Sequence, residues 1–330
     1  MRRAILSESS DIHRNHTDKR STGDLNAEGF ANLLGIQSSE FLVVCGPLID
    51  QYDFRYDAVE GEELETTILK VIKEIDNGLH KPSGKDRKGD WEKGWQENWD
   101  AFVSGGYDVA ALIPKYISKY GISRLLFRYV KPRDKMFELN FYTVYRHYLF
   151  KRFLGPFQNI FEFGCGTGYN LVIMNQLFPD KSIVGLDWTE NSVKIADELG
   201  RRLKAQIKGR EFDFFRPDYG VEIPENSVVI TLNSLEQLGD NYSAFLEYLL
   251  KKKPALCINS EPFLEFYYEN NLLDYLAIRY HKSRNYLAGY YDALKQLEIE
   301  GRIRISRLQR VPVGNLFHEG FSFIVWNVVR

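Results

Sequence analysis

A run of three glycines joins a short apolar strand, over residues 157–163, to the start of a helix, over residues 171–178. The glycines are Gly164, Gly166 and Gly168. Glycines at such a junction let the backbone turn sharply and approach a ligand closely. The helix start then offers free N–H groups and the positive end of its dipole to a polar or anionic group. This stretch, in which Cys165 is a small filler, therefore predicts a nucleotide-type binding turn.

The residues beside these glycines restrict the type of ligand. Tyr169 occupies the position at which the dinucleotide fingerprint G-x-G-x-x-G has its third glycine. Glu162 lies two residues before the first glycine, and a carboxylate there suits an ammonium group or hydroxyls and repels a pyrophosphate. An NAD-dependent dehydrogenase is therefore disfavoured.

The pattern E-x-G-x-G-x-G over residues 162–168 resembles motif I of the class I S-adenosylmethionine-dependent methyltransferases. A second strand, over residues 181–187, ends in Asp187 about 20 residues beyond the turn, where a nucleotide fold places a carboxylate on ribose hydroxyls. Trp188 follows and could lie against an adenine face. The resemblance implies that Asp213, after a third strand, faces the adenine amino group.

The resemblance also implies S-adenosyl-L-methionine as the cofactor and S-adenosyl-L-homocysteine as the product. Tyr142 and Arg146 lie four residues apart on a helix just before the first strand, where Arg146 could pair with the cofactor's carboxylate or serve a structural role. The residues assigned to the cofactor site are Glu162, Gly164, Cys165, Gly166, Gly168, Asp187, Trp188, Asp213, Phe214, Asn233, Tyr142 and Arg146.

Strand and helix patterns alternate through the C-terminal half, with further strands over residues 228–233 and 255–260. Such alternation predicts an α/β fold with a doubly wound, mostly parallel sheet. Two more strands, over residues 302–306 and 321–326, look like the final pair that closes a methyltransferase sheet. The resemblance thus implies seven strands in a Rossmann-like methyltransferase fold.

We expect three regions along the chain. They are a mobile arm over residues 1–26, a mainly helical accessory or substrate-recognition region over residues 27–154, and a cofactor-binding domain over residues 155–330 with a helical insertion over about 262–300. The elements predicted in the second region are helices over residues 27–35, 60–79, 110–120 and 136–153, and a strand over residues 41–45. The insertion is predicted to contain helices over residues 264–278 and 285–298.

Three tryptophans recur at four-residue spacing in the second region: Trp91, Trp95 and Trp99. Interleaved with polar residues, they could form a stacking platform for a sugar or another flat polar molecule. The alternative is that they form the core face of one helix. Both interpretations hold if that helix roofs the active site.

The composition is that of an ordinary globular protein, with 330 residues, 44% apolar residues and a net charge of −2. This charge gives no indication of nucleic-acid binding, and no apolar run is long enough to span a bilayer. The three cysteines form neither a metal-binding spacing nor a disulfide framework, which fits a reducing, cytoplasmic setting. His13 and His16 have no further ligands nearby and are more typical of a surface arm than of a metal site.

Methyl transfer from a sulfonium is an in-line displacement, for which an enzyme aligns two reactants and excludes water. An oxygen acceptor usually needs a general base within hydrogen-bond reach. The candidate bases follow the later strands: Glu236, Glu261 and His318. The tyrosine-rich insertion suits a polar, ring-shaped acceptor, although its tyrosines could equally pack the helices on the sheet.

We therefore expect a methyltransferase that acts on a small polar acceptor, a hydroxyl of a sugar or natural product. The alternatives are a non-catalytic scaffold that binds the cofactor or its product, and a methyltransferase that acts on a protein or an amine. Neither a nucleic acid nor a membrane is expected as a partner. The N-terminal half could recognise the substrate, form a homodimer, or both.

Overall fold

The computed structural model describes residues 21–329. Its N-terminal half contains β1 (Thr22–Asp24), α1 (Ala27–Leu34), α2 (Ser38–Ile49), β2 (Arg55–Ala58), α3 (Gly61–Asp76), α4 (Lys88–Ser104), β3 (Ser123–Leu125), β4 (Arg128–Pro132) and α5 (Phe137–Phe153). The helices predicted over residues 27–35, 60–79 and 136–153 are confirmed as α1, α3 and α5. In α3, Val71 and Ile75 are buried on one face, as the amphipathic pattern predicts.

The C-terminal half alternates strands and helices. Its elements are β5 (Asn159–Phe163), α6 (Tyr169–Leu177), β6 (Ser182–Asp187), α7 (Glu190–Leu203), β7 (Ile207–Glu211), β8 (Ser227–Leu232), α8 (Ser243–Lys252), β9 (Leu256–Ser260), α9 (Leu272–Arg284), α10 (Tyr290–Ile299), β10 (Ile303–Gln309), β11 (Val313–Gly314) and β12 (Phe323–Val328). The seven strands predicted for the main sheet are all present.

Within residues 21–329, the main sheet has seven strands in the order β7-β6-β5-β8-β9-β12-β10. The first five strands in this order run parallel, and β12 runs antiparallel to both β9 and β10. The chain begins this sheet at its centre with β5 and winds outward in both directions. This is the order of the Rossmann-like methyltransferase fold, so the predicted fold class is confirmed.

Hydrophobic cores cover both faces of the main sheet. Every residue of β8 is buried, as expected of a central parallel strand. Val228 packs in the core that includes α5, α6 and α7, whereas Val229 packs in the opposite core with α8 and α10. This alternation fixes the register of the strand, because a shift by one residue would exchange the two faces.

A second sheet joins the two halves of the chain. It has five strands, in the order β1-β2-β4-β3-β11, and β11 comes from the C-terminal half. Residues Thr22–Asp24 pair with β2, and Leu25 is buried, so the expected mobile arm is wrong for residues 22–26. The rest of that arm, with His13 and His16, lies outside the described residues. The division of the chain near residue 155 stays a prediction.

Two predicted elements in the N-terminal half are wrong. Residues 41–45 belong to α2 and not to a strand, because Phe41, Cys45 and Ile49 are buried at helical spacing while Val43 is exposed. Of the helix predicted over residues 110–120, only a 3₁₀ turn at Val109–Leu112 forms. Pro114 follows this turn, and the residue before a proline is disfavoured in the α conformation.

The region predicted as a helical insertion contains α9 and α10, but its first helix starts later than predicted. Leu264–Phe266 form a 3₁₀ turn, and α9 begins only after Asn271, whose side chain accepts a hydrogen bond from the Asp274 N–H. Asparagine is a favoured helix N-cap, which the hydrophobic periodicity alone does not reveal. In the described part of the chain, no helix combines the length and apolar character needed to cross a membrane.

Candidate active site

A cleft lies at the carboxyl ends of β5, β6 and β8. Its walls are the glycine turn after β5, the loop after β8, and residues of α4 and α5, and it encloses about 850 Å³ including its open mouth. Strand order reverses at β5, whose neighbours β6 and β8 are reached in opposite directions. Ligands of open α/β sheets bind in the crevice at such a switch point.

The three glycines of the turn have backbone angles φ of +76°, +52° and +70°, in the region that favours glycine. Each also meets a close neighbour. A Cβ atom on Gly164 would lie 2.3 Å from Ser234 Cβ, and one on Gly166 would lie 3.1 Å from an indole carbon of Trp95. The sequence pattern therefore reflects both backbone conformation and close packing against the β8 loop and α4.

A buried relay of polar groups lies beside the turn. Asn170 Nδ2 donates to Glu162 Oε1 at 2.6 Å, and Arg146 Nη1 donates to Asn170 Oδ1 at 2.9 Å. The Arg146 guanidinium also lies 3.9 Å from the ring centre of Tyr142 and 4.9 Å from that of Tyr169. The buried cation is thus held between two aromatic faces, a favourable arrangement in a desolvated site.

Sequence reasoning missed Asn170 and Tyr169 as site residues. Both lie in the first turn of α6, where side chains point back toward the helix N-terminus and hence toward the glycine turn. The direction of side chains in a first helical turn is therefore the sequence signal that indicates Asn170 as a site residue. In the structure Asn170 links Glu162 to Arg146.

The second carboxylate oxygen of Glu162 is buried and has no hydrogen-bond partner among residues 21–329. Burial raises the pKa of Glu162 to about 8, although Asn170 and Arg146 act in the opposite direction. Glu162 does not itself line the cleft, although Asn170 and Arg146 beside it do. A buried, unpaired acceptor is costly, and next to the cleft it suits a ligand that brings a donor.

Asp187 ends β6 and lines the cleft, as the sequence predicts. Its Oδ2 accepts from the Gly166 N–H at 3.0 Å, and its Oδ1 accepts from the Thr189 N–H at 3.0 Å and from Thr189 Oγ1 at 2.7 Å. Burial raises its pKa, and these hydrogen bonds oppose that shift. The carboxylate therefore holds the glycine turn and the start of α7 in place; its contact with ribose hydroxyls stays a prediction.

Aromatic side chains line the cleft beyond Asp187. The rings of Trp188 and Phe215 are 5.9 Å apart and tilted by 37°, and Phe214 lies beside them. Asp213 is not among the cleft-lining residues, and its Oδ1 accepts from the Phe215 N–H at 2.8 Å. Asp213 thus shapes the turn that presents these rings, and its predicted contact with adenine stays a prediction.

Helix α4 forms the roof of the cleft. Trp91 and Trp95 line it and stack on each other with ring centres 5.2 Å apart, whereas Trp99 packs against the core. Trp99 thus agrees with the core-face interpretation, whereas the stacking of a flat polar ligand on Trp91 and Trp95 stays a prediction. Cys165 also lines the cleft and is buried.

The loop after β8 forms a wall of the cleft next to the glycine turn. Asn233 has a φ of +53° and lines the cleft, as does Gln237. The side-chain carbonyl oxygens of both are buried and lack a partner in the described structure. Gln237 Nε2 donates to Glu236 Oε1 at 2.9 Å, which fixes the orientation of that amide.

Glu236 does not itself line the cleft, but it is adjacent in the chain to Gln237, which does. Burial raises its pKa to about 7, against the influence of Gln237, Arg284 and Tyr286. A carboxyl group with a pKa near the working pH is well suited to accept a proton. Tyr286, a neighbour from the insertion, could not be placed beside Glu236 from sequence.

Glu261 and His318 are not among the cleft-lining residues. The Glu261 carboxylate accepts from the N–H groups of Ser234 and Glu236, each at 3.2 Å, and so holds the β8 loop. His318 Nδ1 lies 3.1 Å from His281 Nε2, and burial together with His281 holds the pKa of His318 well below its usual range. The catalytic roles assigned to both stay predictions.

Among residues 21–329, no group of three or more His, Cys, Asp and Glu side chains is placed to hold a metal ion.

A scan against protein-family models finds no match, and a search of the curated proteins finds none either. Solved structures do resemble this chain. A SAM-dependent methyltransferase from Aquifex aeolicus is 16% identical, with 56% of this chain and 89% of that one covered and a TM-score of 0.39. Geranyl diphosphate methyltransferase in complex with SAM is 10% identical, with 60% and 93% covered and a TM-score of 0.42. The [4+2]-cyclase SpnF is 11% identical, with 70% and 78% covered and a TM-score of 0.44.

At these identities and TM-scores, the likenesses establish neither a family nor a reaction for this chain. The fold follows from the chain's own strand order, with β5 at the centre and β12 as the antiparallel strand. The chain thus has a Rossmann-like α/β fold with a seven-stranded, mostly parallel sheet.

Proposed function

We propose that this protein is an S-adenosylmethionine-dependent methyltransferase that acts on a hydroxyl of a small polar acceptor, such as a sugar or natural product. The observation that carries the proposal is the relay of Glu162, Asn170 and Arg146 beside the glycine turn, with Glu162 Oε2 buried and unpaired. The amino-acid end of this cofactor carries an ammonium group and a carboxylate. A buried acid and a buried cation, joined by one amide, match that pair of charges.

The chain's residues fit the other parts of the cofactor as well. Glu162 Oε2 would accept from the ammonium group, and the cationic Arg146 would face the carboxylate. Asp187 would lie at the ribose, and the rings of Trp188 and Phe215 would contact the adenine. When bound, the cofactor supplies a methyl group that its sulfonium makes ready for transfer.

The acceptor side of the cleft favours a hydroxylated molecule. The carbonyl oxygens of Asn233 and Gln237 have no partner in the described structure and could accept hydrogen bonds from the hydroxyls of a ligand. Arg146 is the sole cationic side chain among the described residues that line the cleft. A phosphate or carboxylate on the acceptor would therefore lack a counter-charge there.

Glu236 would receive the proton of the acceptor hydroxyl as that oxygen gains the methyl group. The roof of α4, with its two stacked indoles, would keep water from the reacting groups. In this arrangement the glycine turn would bind the cofactor, the β8 loop would orient the acceptor, and the Glu236 carboxylate would accept the proton.

A labelling experiment tests this function. The protein is incubated with methyl-tritiated S-adenosylmethionine and a panel of glycosides and phenols, and the products are separated by chromatography. We expect at least one O-methylated product, reduced in the Glu236→Gln variant and unchanged in Glu247→Gln, which alters an exposed residue of α8. If the protein binds S-adenosylhomocysteine but labels no acceptor, the non-catalytic scaffold replaces this proposal.

A further inference from the structure

Glu92, between the two cleft-lining tryptophans of α4, contacts a helix that is distant in the sequence. Its carboxylate accepts from the Glu190 N–H at 2.9 Å and from the Asn191 N–H at 3.1 Å. The Asn191 side-chain amide donates to the same carboxylate and, at 3.3 Å, to the Glu92 carbonyl. These partners, 98 and 99 residues away, are the first two residues of α7.

This contact replaces the ordinary cap of α7. The first N–H groups of a helix have no partners within the helix, and a negative charge there is stabilised by the dipole. Thr189, the N-cap residue, makes no side-chain capping bond to α7, because its hydroxyl donates to Asp187 instead. Glu92 therefore supplies the cap, and Thr189 is left to hold a residue of the predicted cofactor site.

Trp91 and Trp95, on either side of Glu92 in the chain, both line the cleft. Trp95 lies against Gly166, and Trp91 stacks on Trp95. The indole N–H of Trp91 is buried without a partner in the part of the chain that the structure describes. A buried donor that lines the cleft points to a ligand that accepts a hydrogen bond from the roof.

The segment before α4 is fixed at the other side of the cleft. The Ser83 N–H donates to the Arg284 carbonyl at 2.7 Å, and Ser83 Oγ donates to the Asn285 carbonyl at 2.6 Å, both at the end of α9. The roof is thus attached on one side to the insertion and on the other to the helix that follows the predicted ribose and adenine residues.

We infer that Glu92 is a positioning residue for the cofactor: it fastens α4 so that Trp91 donates to the bound cofactor and both indoles close the cleft over the glycine turn. The inference rests on the proposed function. Its consequence is kinetic, because a roof that is held less firmly lets the ligand leave more often.

The test compares the release of S-adenosylhomocysteine from wild type, Glu92→Gln and a matched control. Release is followed by stopped-flow tryptophan fluorescence, and the dissociation constant by calorimetry. Loss of the charged cap should speed release about tenfold. The control, Glu97→Gln, removes a charge from the same helix at an exposed site, where Glu97 pairs with Lys115 at 2.9 Å, and should release at the wild-type rate.

Asn191→Ala is a milder second variant, because it keeps both backbone hydrogen bonds to Glu92. It should speed release by roughly threefold, and it serves if Glu92→Gln fails to fold. If the wild type binds S-adenosylhomocysteine and both variants release it at the wild-type rate, the inference about Glu92 is overturned and the proposed function is not. Absence of binding by the wild type overturns the proposed function and this inference together.

Discussion

Glu162 is buried and Glu236 is half-buried beside the same cleft, and the two carboxyl groups are held by different means. Glu162 ends β5 and is bound by Asn170, only eight residues later. Glu236 lies among groups from the helical insertion, including Arg284 and Tyr286, about fifty residues away. The cofactor side is a local strand–turn–helix unit, whereas the acceptor side is assembled by tertiary packing. Local construction explains why one side can be recognised from sequence and the other cannot.

The unpaired atoms of the two sides also differ. On the cofactor side, the free acceptor is a carboxylate oxygen of Glu162 near a buried cation. On the acceptor side, the free acceptors are the neutral amide oxygens of Asn233 and Gln237. The first side thus suits a charged amino-acid group, and the second suits hydroxyls. The variants below test this difference, and a variant of the buried His318 tests another candidate base.

The largest effect is expected from Glu236→Gln, which removes the proton acceptor. The rate of methyl transfer should fall about 10²- to 10⁴-fold, while the affinity for S-adenosylhomocysteine stays at the wild-type value. The wild-type rate should rise with pH until the pKa of Glu236, about 7, is passed, and the variant should lose that rise. A pH–rate profile of both proteins checks this, and a variant with more than a tenth of the wild-type rate would refute the role.

A large loss of stability is expected from Gly164→Ala on the cofactor side. The new Cβ would lie 2.3 Å from Ser234 Cβ at a φ of +76°, so clash and strain should lower the free energy of unfolding by roughly 2–5 kcal/mol. Gly301→Ala is the control, because its φ is +71° but no atom lies within 4 Å. It should cost roughly 1–2 kcal/mol. Urea unfolding measures the free energy of unfolding of both variants. Equal decreases in the two would show that close packing at the glycine turn contributes nothing to stability.

A pH-dependent affinity is expected from Glu162. Its pKa of about 8 lies above the ordinary 4.5, so the folded protein holds a proton that the unfolded chain loses between these values, and stability falls as pH rises through this range. An ammonium ligand needs the ionised form, so binding releases the proton. Affinity for S-adenosylhomocysteine should therefore increase from pH 6 to 7.5, by about 1.4 kcal/mol per unit at most.

Calorimetry in buffers of different ionisation enthalpy measures this proton release directly. In Glu162→Gln the affinity should be lower and flat over the same range, whereas Glu247→Gln should behave as wild type. If the wild-type affinity does not change with pH, Glu162 does not receive the ammonium group.

The smallest effect on activity is expected from His318→Asn. Burial holds the pKa of His318 well below its ordinary 6.5. As the pH falls through 6.5, this histidine therefore becomes protonated in the unfolded chain but stays neutral in the folded protein. Wild-type stability should thus fall as pH drops below about 6.5, and the variant should lose less over the same range. Methyl transfer at pH 7.5 should persist; loss of transfer in this variant, with Glu236→Gln active, would instead make His318 the base.

The sequence predicts the main sheet and most of the cofactor side because their signals are short-range. Glycine spacing, the acid at the end of β5 and the acid at the end of β6 each depend on neighbours within one strand and turn. Glu162, Asp187 and Arg146 accordingly lie where the pattern indicates, within or beside the cleft.

The roof of the cleft, the acceptor side and the small sheet depend on contacts between distant segments. Glu92 contacts α7, 98 residues later in the chain, and β11 from the C-terminal half pairs with β3 from the N-terminal half. Neither contact leaves a periodic pattern in the local sequence. Two wrong helix boundaries have another cause. Pro114 and the N-cap residue Asn271 are local signals in the sequence, but hydrophobic spacing alone predicts helices that ignore them.

The central claim, that the cleft beside the glycine turn binds S-adenosylmethionine through its amino-acid end, is tested most directly by calorimetric titration of the wild-type protein. S-adenosylhomocysteine and NAD are titrated in parallel at pH 7.5. We expect S-adenosylhomocysteine to bind with a dissociation constant on the order of micromolar and NAD not to bind. Binding of NAD alone, or of neither ligand, would contradict the claim.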